Sequence, residues 1–283
     1  MIFTNVLESV ELNFTDLCNL QCSFCPHSFG FKGKNNNVHM TPDTARIVKE
    51  QLDEINFSGD LVISGKGEPT LNIYFEELMD IFADPNRNYS IRLISNGKNF
   101  SKYKDSVDKA DVIVYDVYDT AYDPNGTSKQ KVKAVKLKKS IDIKNKNRKS
   151  PHITLRFKPD YGELETKTQT EWGGNLSSRG YEDHITKELS DTTCSIIFRR
   201  LMIDWNGDYN LCCHDWFDRI VLGNIKTESI LEYVEENPTL MSYRTKLVEG
   251  NRKDLTVCRN CDKLCPIDNS NYKDMMDMYN ACK

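Results

Sequence analysis

Cys18-Asn19-Leu20-Gln21-Cys22-Ser23-Phe24-Cys25 comes four residues after an alternating stretch, Val10-Glu11-Leu12-Asn13-Phe14, that reads as a β-strand. Three thiols at C-x3-C-x2-C in one short loop can wrap three sulfurs round one face of an iron–sulfur cube, because thiolates are the soft ligands such clusters take. Three protein ligands leave the fourth iron open, and an open metal position is a place for chemistry. The spacing alone also admits a disulfide pair with a spare thiol, or a zinc knuckle completed by His27.

Thiols recur only at the far end. Of ten cysteines, three lie at 18–25, none follows for 168 residues, and seven run from Cys194 to Cys282. Thiols clustered in this way point to metal or catalysis, and the gap suggests two sites on two modules, residues 1–190 and 191–283. Cys194 precedes a hairpin reading: a strand over 198–205, the turn Asn206-Gly207-Asp208, and a return strand Tyr209-Asn210-Leu211 that delivers Cys212. Cys258-Arg259-Asn260-Cys261 adds two thiols on one tight turn. By spacing, Cys194, Cys212, Cys258 and Cys261 suit a four-thiol zinc site as well as a second cluster. Cys213, Cys265 and Cys282 are left without an assignment.

Between the two groups, strands alternate with helical segments. Thr41-Pro42-Asp43 signals an N-cap, a proline at the first helical position and an acid in the first turn of a helix running to about Ile55. A short strand, Leu61-Val62-Ile63, ends in Ser64-Gly65-Lys66-Gly67-Glu68-Pro69, and a helix follows over 75–82. Strands over 90–94, 111–115 and 153–157 end near Asn96, at Asp116 and beyond Arg156, with a short helix over 103–109 and a lysine-rich one over 128–141. A sixth strand is sketched between Glu163 and Trp172. Such alternation predicts an α/β fold of parallel units, five or six strands in an open sheet or partial barrel, with the site at the carboxyl ends of the strands. A small α+β segment with helices over 229–236 and 238–248 completes the chain.

Composition sets bounds. Charged residues make up 28% and the formal net charge is -4, so no global charge calls for nucleic acid. Residues 129–149 carry ten Lys or Arg and one acid, but without interleaved aromatics they read as a solvated helix face. No stretch reaches the roughly twenty apolar residues of a membrane span, and the first residues lack a basic-then-apolar leader. The expectation is a cytoplasmic protein without membrane or nucleic-acid partners.

Taken together, the cysteine loop, Phe24 before its last cysteine and the strand-end residues resemble the radical S-adenosylmethionine superfamily over about residues 8–160. The resemblance implies a partial (β/α) barrel in which Cys18, Cys22 and Cys25 hold a 4Fe-4S cluster and S-adenosylmethionine chelates the open iron. It puts Phe24 beside the adenine and gives the Gly65-Lys66-Gly67-Glu68 turn to the methionine amino group, with Lys66 standing where the family has a glycine. It also implies Asn96 and Asp116 as cofactor contacts, the latter at the ribose, and Arg156 at the methionine carboxylate. The C-terminal spacing is similar to the SPASM and twitch modules, which implies an auxiliary 4Fe-4S cluster on Cys194, Cys212, Cys258 and Cys261. The longer SPASM run of cysteines is not matched by Cys265 and Cys282.

The implied chemistry is reductive cleavage of S-adenosylmethionine, hydrogen-atom abstraction, and oxidation of the substrate through the auxiliary cluster, fed by a reductant such as flavodoxin or ferredoxin. Dehydrogenation of a small-molecule alcohol is favoured over peptide side-chain modification, and a zinc-binding structural protein stands as the non-enzyme alternative. Arg179, in the polar glycine-containing link over 161–191, is the candidate substrate contact.

Overall fold

The computed structural model describes residues 4–20, 25, 38–117, 146, 152–157, 194–216, 218, 220–259 and 261. Cys22, Phe24, His27, Arg179, Cys265 and Cys282 lie outside them, as do the lysine-rich helix and the sixth strand; of Arg156 the backbone alone is described.

Five strands, β1 (Ser9–Asn13), β2 (Asp60–Ser64), β3 (Ser90–Ser95), β4 (Val112–Val117) and β5 (His152–Phe157), lie side by side and parallel in chain order. Parallel neighbours need a crossover, and the sequence supplies helices for it: α1 (Pro42–Glu54), α2 (Phe75–Phe82) and the short α3 (Lys104–Val107). The start of α1 is set by Thr41, whose hydroxyl accepts from the Thr44 amide at 3.3 Å, and by Pro42 at the first helical position. Its face of Ala45, Val48 and Leu52 is fully buried. The strands alternate: Val10 and Leu12, Leu61 and Ile63, and Ile91 and Leu93 are at 0% exposure, while Glu11, Val62 and Arg92 between them are only partly buried. The five-stranded α/β core expected from the sequence is present.

The other edge of β1 does not end the sheet. Strand β6 (Arg200–Ile203) pairs with β1 in parallel, Leu12 opposite Ile203, and then turns back antiparallel into β7 (Asp208–Asn210) and β8 (Val221–Asn224). The order is therefore β5-β4-β3-β2-β1-β6-β7-β8, one sheet spanning both cysteine groups. The hairpin turn falls at Asn206-Gly207 as read, with Gly207 at φ +91°. Three bounds differ from the sequence reading. The strand read over 198–205 starts two residues late, at Arg200, because Ile196–Arg199 form a helical turn, α4, with Ile196, Ile197 and Phe198 all buried. Strand β4 continues past Tyr115, placing Asp116 opposite Arg156 within the ladder, because β5 offers partners that far. Strand β8 went unread, since its four residues have no buried member to mark a pattern.

Helices α5 (Ile230–Glu236) and α6 (Pro238–Val248) close the C-terminal segment. Ser229 and Glu232 form a reciprocal capping box on α5, and Asn237 caps α6 through the Leu240 amide at 3.1 Å. Tyr233 of α5 stacks on Tyr209 of β7 with ring centroids 4.2 Å apart, and this packing joins the helices to the same apolar core as the barrel strands.

Candidate active site

Parallel pairing of β1 with β2, Asn13 opposite Ser64, brings the loops after these two strands side by side. The cysteine loop leaves β1, and the Gly65–Glu68 turn leaves β2. They are stitched by backbone: the Glu68 amide donates to the Leu17 carbonyl at 2.7 Å. A Cβ on Gly67 would lie 2.1 Å from the Thr15 carbonyl oxygen, and Gly65 sits at φ +108° with its missing Cβ facing Asn13. Both glycines are thus required by close approach or by backbone conformation. Asn13 reads the turn directly, its Oδ1 accepting from the Lys66 amide at 3.3 Å while its Nδ2 donates to Asp16 at 2.7 Å.

Glu68 is 3% exposed and its carboxylate is held by the protein. Oε1 accepts from the Thr70 amide at 3.2 Å, the Thr70 hydroxyl at 2.6 Å and the Ser95 hydroxyl at 2.7 Å; Oε2 accepts from the Asn96 amide at 2.8 Å. The residue caps the 3₁₀ turn Pro69–Leu71 and ties the end of β2 to the end of β3. Oε2 takes only one of these four bonds, which leaves one of its two lone pairs for a ligand. Asn96 continues the chain of contacts, its Nδ2 donating to Asn19 of the cysteine loop at 2.8 Å and its Oδ1 accepting from the Lys98 amide at 3.0 Å. Asp116 is 1% exposed on β4. The cysteine loop, the glycine turn, Asn96 and Asp116 therefore share the carboxyl end of the sheet.

The donor chemistry suits a cluster. Cys18 and Cys25 are partly exposed, and no described cysteine is in a disulfide. Burial raises the Cys18 thiol above its ordinary range and nearby Glu68 raises it further, while Lys98 and the Leu20 and Asn19 amides pull the other way. The second group is drier. Burial pushes Cys212 well above the ordinary thiol range, with Cys213, Cys258 and Cys261 adding to it; Cys258 is pushed up to about 12 by burial, with Cys261 and Cys194 contributing. Those mutual influences mark sulfurs that lie near one another: three segments of chain bring thiols together, and a cluster that takes one thiolate per iron can satisfy them. Cys213 adjoins this group and feels Cys194, which leaves its assignment open. Among the described residues no three His, Cys, Asp or Glu are gathered as for a single metal ion.

Two residues of the site had no local sequence signal. Arg252, 2% exposed, donates Nε to the Cys258 carbonyl at 2.9 Å and Nη2 to the Cys261 carbonyl, fixing the turn that presents both thiols. Asp218, on the loop between β7 and β8, accepts from the Lys66 ammonium and from Asn210. Neither a lone arginine six residues before a C-x2-C turn nor an aspartate in a loop announces such a partner in the sequence.

A partial parallel barrel with a cysteine loop on its first strand, a glycine turn on its second and a thiol-rich extension defines a class of cluster-bearing enzymes. Residues 12–146 match the radical SAM superfamily and residues 194–262 match SPASM, an iron–sulfur cluster-binding domain. The chain carries a radical SAM domain followed by a SPASM domain, which makes it a radical SAM enzyme whose cofactors are S-adenosylmethionine, a 4Fe-4S cluster and auxiliary iron–sulfur chemistry in the C-terminal segment. It is 22% identical over 270 residues to the S-adenosyl-L-methionine-dependent 2-deoxy-scyllo-inosamine dehydrogenase of Niallia circulans, covering 90% of this chain and 92% of that protein. Among solved structures it is similar to BtrN in complex with AdoMet and 2-DOIA, with TM-score 0.66 and 17% identity over 91% of this chain and 93% of that one. BtrN in an open conformation matches with TM-score 0.64 and 16% identity over 94% and 97%. No described helix is long and apolar enough to cross a membrane.

Proposed function

We propose that this chain is an oxidoreductase that converts a secondary alcohol of a small polyhydroxylated molecule to a ketone. The observation that carries the reading is similarity along nearly the whole length of a dehydrogenase, through both the barrel and the auxiliary segment. Residues 1–190 act as the radical module and 191–283 as the auxiliary one, joined edge to edge where β1 meets β6. When bound, the cluster and S-adenosylmethionine supply a 5′-deoxyadenosyl radical that takes a hydrogen atom from the substrate.

The chain's own residues bind and orient. Cys18, Cys22 and Cys25 hold the first cluster. The carbonyls of the Gly65–Gly67 turn receive the methionine amino group, which their glycines allow to approach closely, and Glu68 anchors that turn to β3. Asn96 braces the cysteine loop through Asn19, and Asp116 accepts from the ribose. Arg156 pairs with the methionine carboxylate, Phe24 lies along the adenine and Arg179 contacts the substrate. Cys194, Cys212, Cys258 and Cys261 would hold the auxiliary cluster, which would supply an acceptor for the electron that leaves when the alcohol gives up a hydrogen atom and a proton. A low-potential electron carrier supplies the first electron.

Anaerobic reconstitution with iron and sulfide counting tests the reading at its base: two cubanes need about eight irons per chain. Turnover with aminocyclitols and related polyols should then give ketone and 5′-deoxyadenosine in equal amounts. Formation of 5′-deoxyadenosine with modification of a small peptide and no polyol oxidation would overturn the substrate class. Zinc without iron would overturn the enzyme reading.

A further inference from the structure

The glycine turn carries one side chain that the chemistry above does not use. Lys66 stands between Gly65 and Gly67, where the family resemblance has glycine, yet it is only 5% exposed. Its ammonium reaches 152 residues along the chain to the Asp218 carboxylate. Asp218 adopts φ +49°, a conformation few non-glycine residues take up, and its Oδ1 also accepts from Asn210, which is 1% exposed on β7. The far end of this contact is therefore built, not a stray surface pair. The turn's other fastenings, through the Lys66 and Glu68 amides, run to Asn13 and Leu17 at the start of the cysteine loop. A second, parallel tie joins that region to the auxiliary hairpin, Trp205 Nε1 donating to Asp16 at 2.8 Å.

We propose that Lys66 is a positioning residue that links S-adenosylmethionine binding at the Gly65–Glu68 turn to docking of the auxiliary loop around Asp218. The inference rests on the reading of that turn as the cofactor's amino site. Asn13 holds the Lys66 amide and the Lys66 stem adds a second anchor at the same residue, so the turn's carbonyl directions also depend on where that stem is fixed. The anchor is a carboxylate on the loop that follows Cys212 and Cys213. Cofactor binding and loop docking then favour each other, and the linkage is reciprocal: whatever factor the docked loop adds to cofactor affinity, bound cofactor adds to loop docking.

The test uses the full chain, anaerobically reconstituted, with S-adenosylmethionine affinity measured by calorimetry and amide exchange followed over 208–224 with and without the cofactor. In the unaltered protein the cofactor should slow exchange in this loop. Lys66→Met should weaken cofactor binding by about tenfold and abolish the cofactor-dependent slowing. Asp218→Asn, an isostere at a partly exposed position, should do the same from the other side even if Lys66→Met folds poorly. The double variant should be no worse than either single one, since both remove one interaction. Lys66→Met that lowers thermal stability but keeps both the affinity and the cofactor-dependent protection would overturn the proposal, as would additive losses in the double variant. A reconstituted unaltered protein that fails to bind S-adenosylmethionine would instead overturn the functional reading beneath it.

Discussion

Replacing Glu68 with alanine should damage the fold before it damages the chemistry. The carboxylate takes four hydrogen bonds in a place 3% exposed to solvent. Two of the donors can find relief: the Thr70 and Ser95 hydroxyls rotate, and each already accepts a bond, from Asn99 and from the Gly97 amide. The Thr70 and Asn96 backbone amides cannot turn away. A buried donor stripped of its partner costs about 1–3 kcal/mol, so two orphaned amides put the loss near 4 kcal/mol. For a chain of this size that is a fall in Tm of about 10 °C. Glu68→Gln keeps the Oε1 acceptor but turns an NH2 group on the Asn96 amide, so about half the loss is expected. Anaerobic thermal melting of both variants gives the comparison. An alanine variant melting within about 2 °C of the parent, or a glutamine variant worse than the alanine one, would refute the reading of Glu68 as a strut between β2 and β3.

Three further outcomes follow from the same geometry. Asp204, 6% exposed, has its carboxyl raised from 3.8 to about 7, first by burial; an acid raised in the fold is favoured there when protonated, so its contribution to stability is greatest below about pH 4 and is lost as pH rises to about 7, at a cost of at most about 4 kcal/mol. Asp204→Asn keeps the acceptor for the Asn206 and Asp208 amides and should flatten that stretch of the stability profile measured by denaturant titration. Arg252→Met removes the donors on the Cys258 and Cys261 carbonyls and should cost about 3 kcal/mol while bringing iron down from about eight toward about four per chain; an unchanged iron count would show that the turn holds its thiols without help. Burial pushes the Cys212 and Cys258 thiols up, so an auxiliary cluster that takes them as thiolates must expel protons as it loads, and its retention against a chelator should improve as pH rises from about 6 to about 9; a flat profile would contradict thiolate ligation by this group.

What could be read without the structure was whatever is written in neighbouring residues. Helix α1 declared itself through Thr41, Pro42 and a buried stripe every three or four residues, α2 and α6 ran to their expected ends, and Asn206-Gly207 marked the hairpin. The cysteine spacings and the glycine turn pointed to the chemistry for the same reason: a loop that must wrap a cluster or let a ligand touch backbone needs its residue types close together in the chain. Phe198 and Arg199 were read as strand because the apolar run that Phe198 closes has no period to tell strand from helix.

The tertiary structure decided everything that depends on which distant segments meet. Nothing near Lys66 announces Asp218, and nothing near Cys258 requires Arg252 to hold its carbonyl; both follow from burial, which obliges a charged end group to find its partner wherever the fold has placed one. The joining of the two cysteine modules into one sheet is of this kind too. An exposed edge on β1 and a short strand after Cys194 are each silent about the other, and only when Leu12 lies opposite Ile203 does the auxiliary hairpin stand beside the loop that carries Cys18.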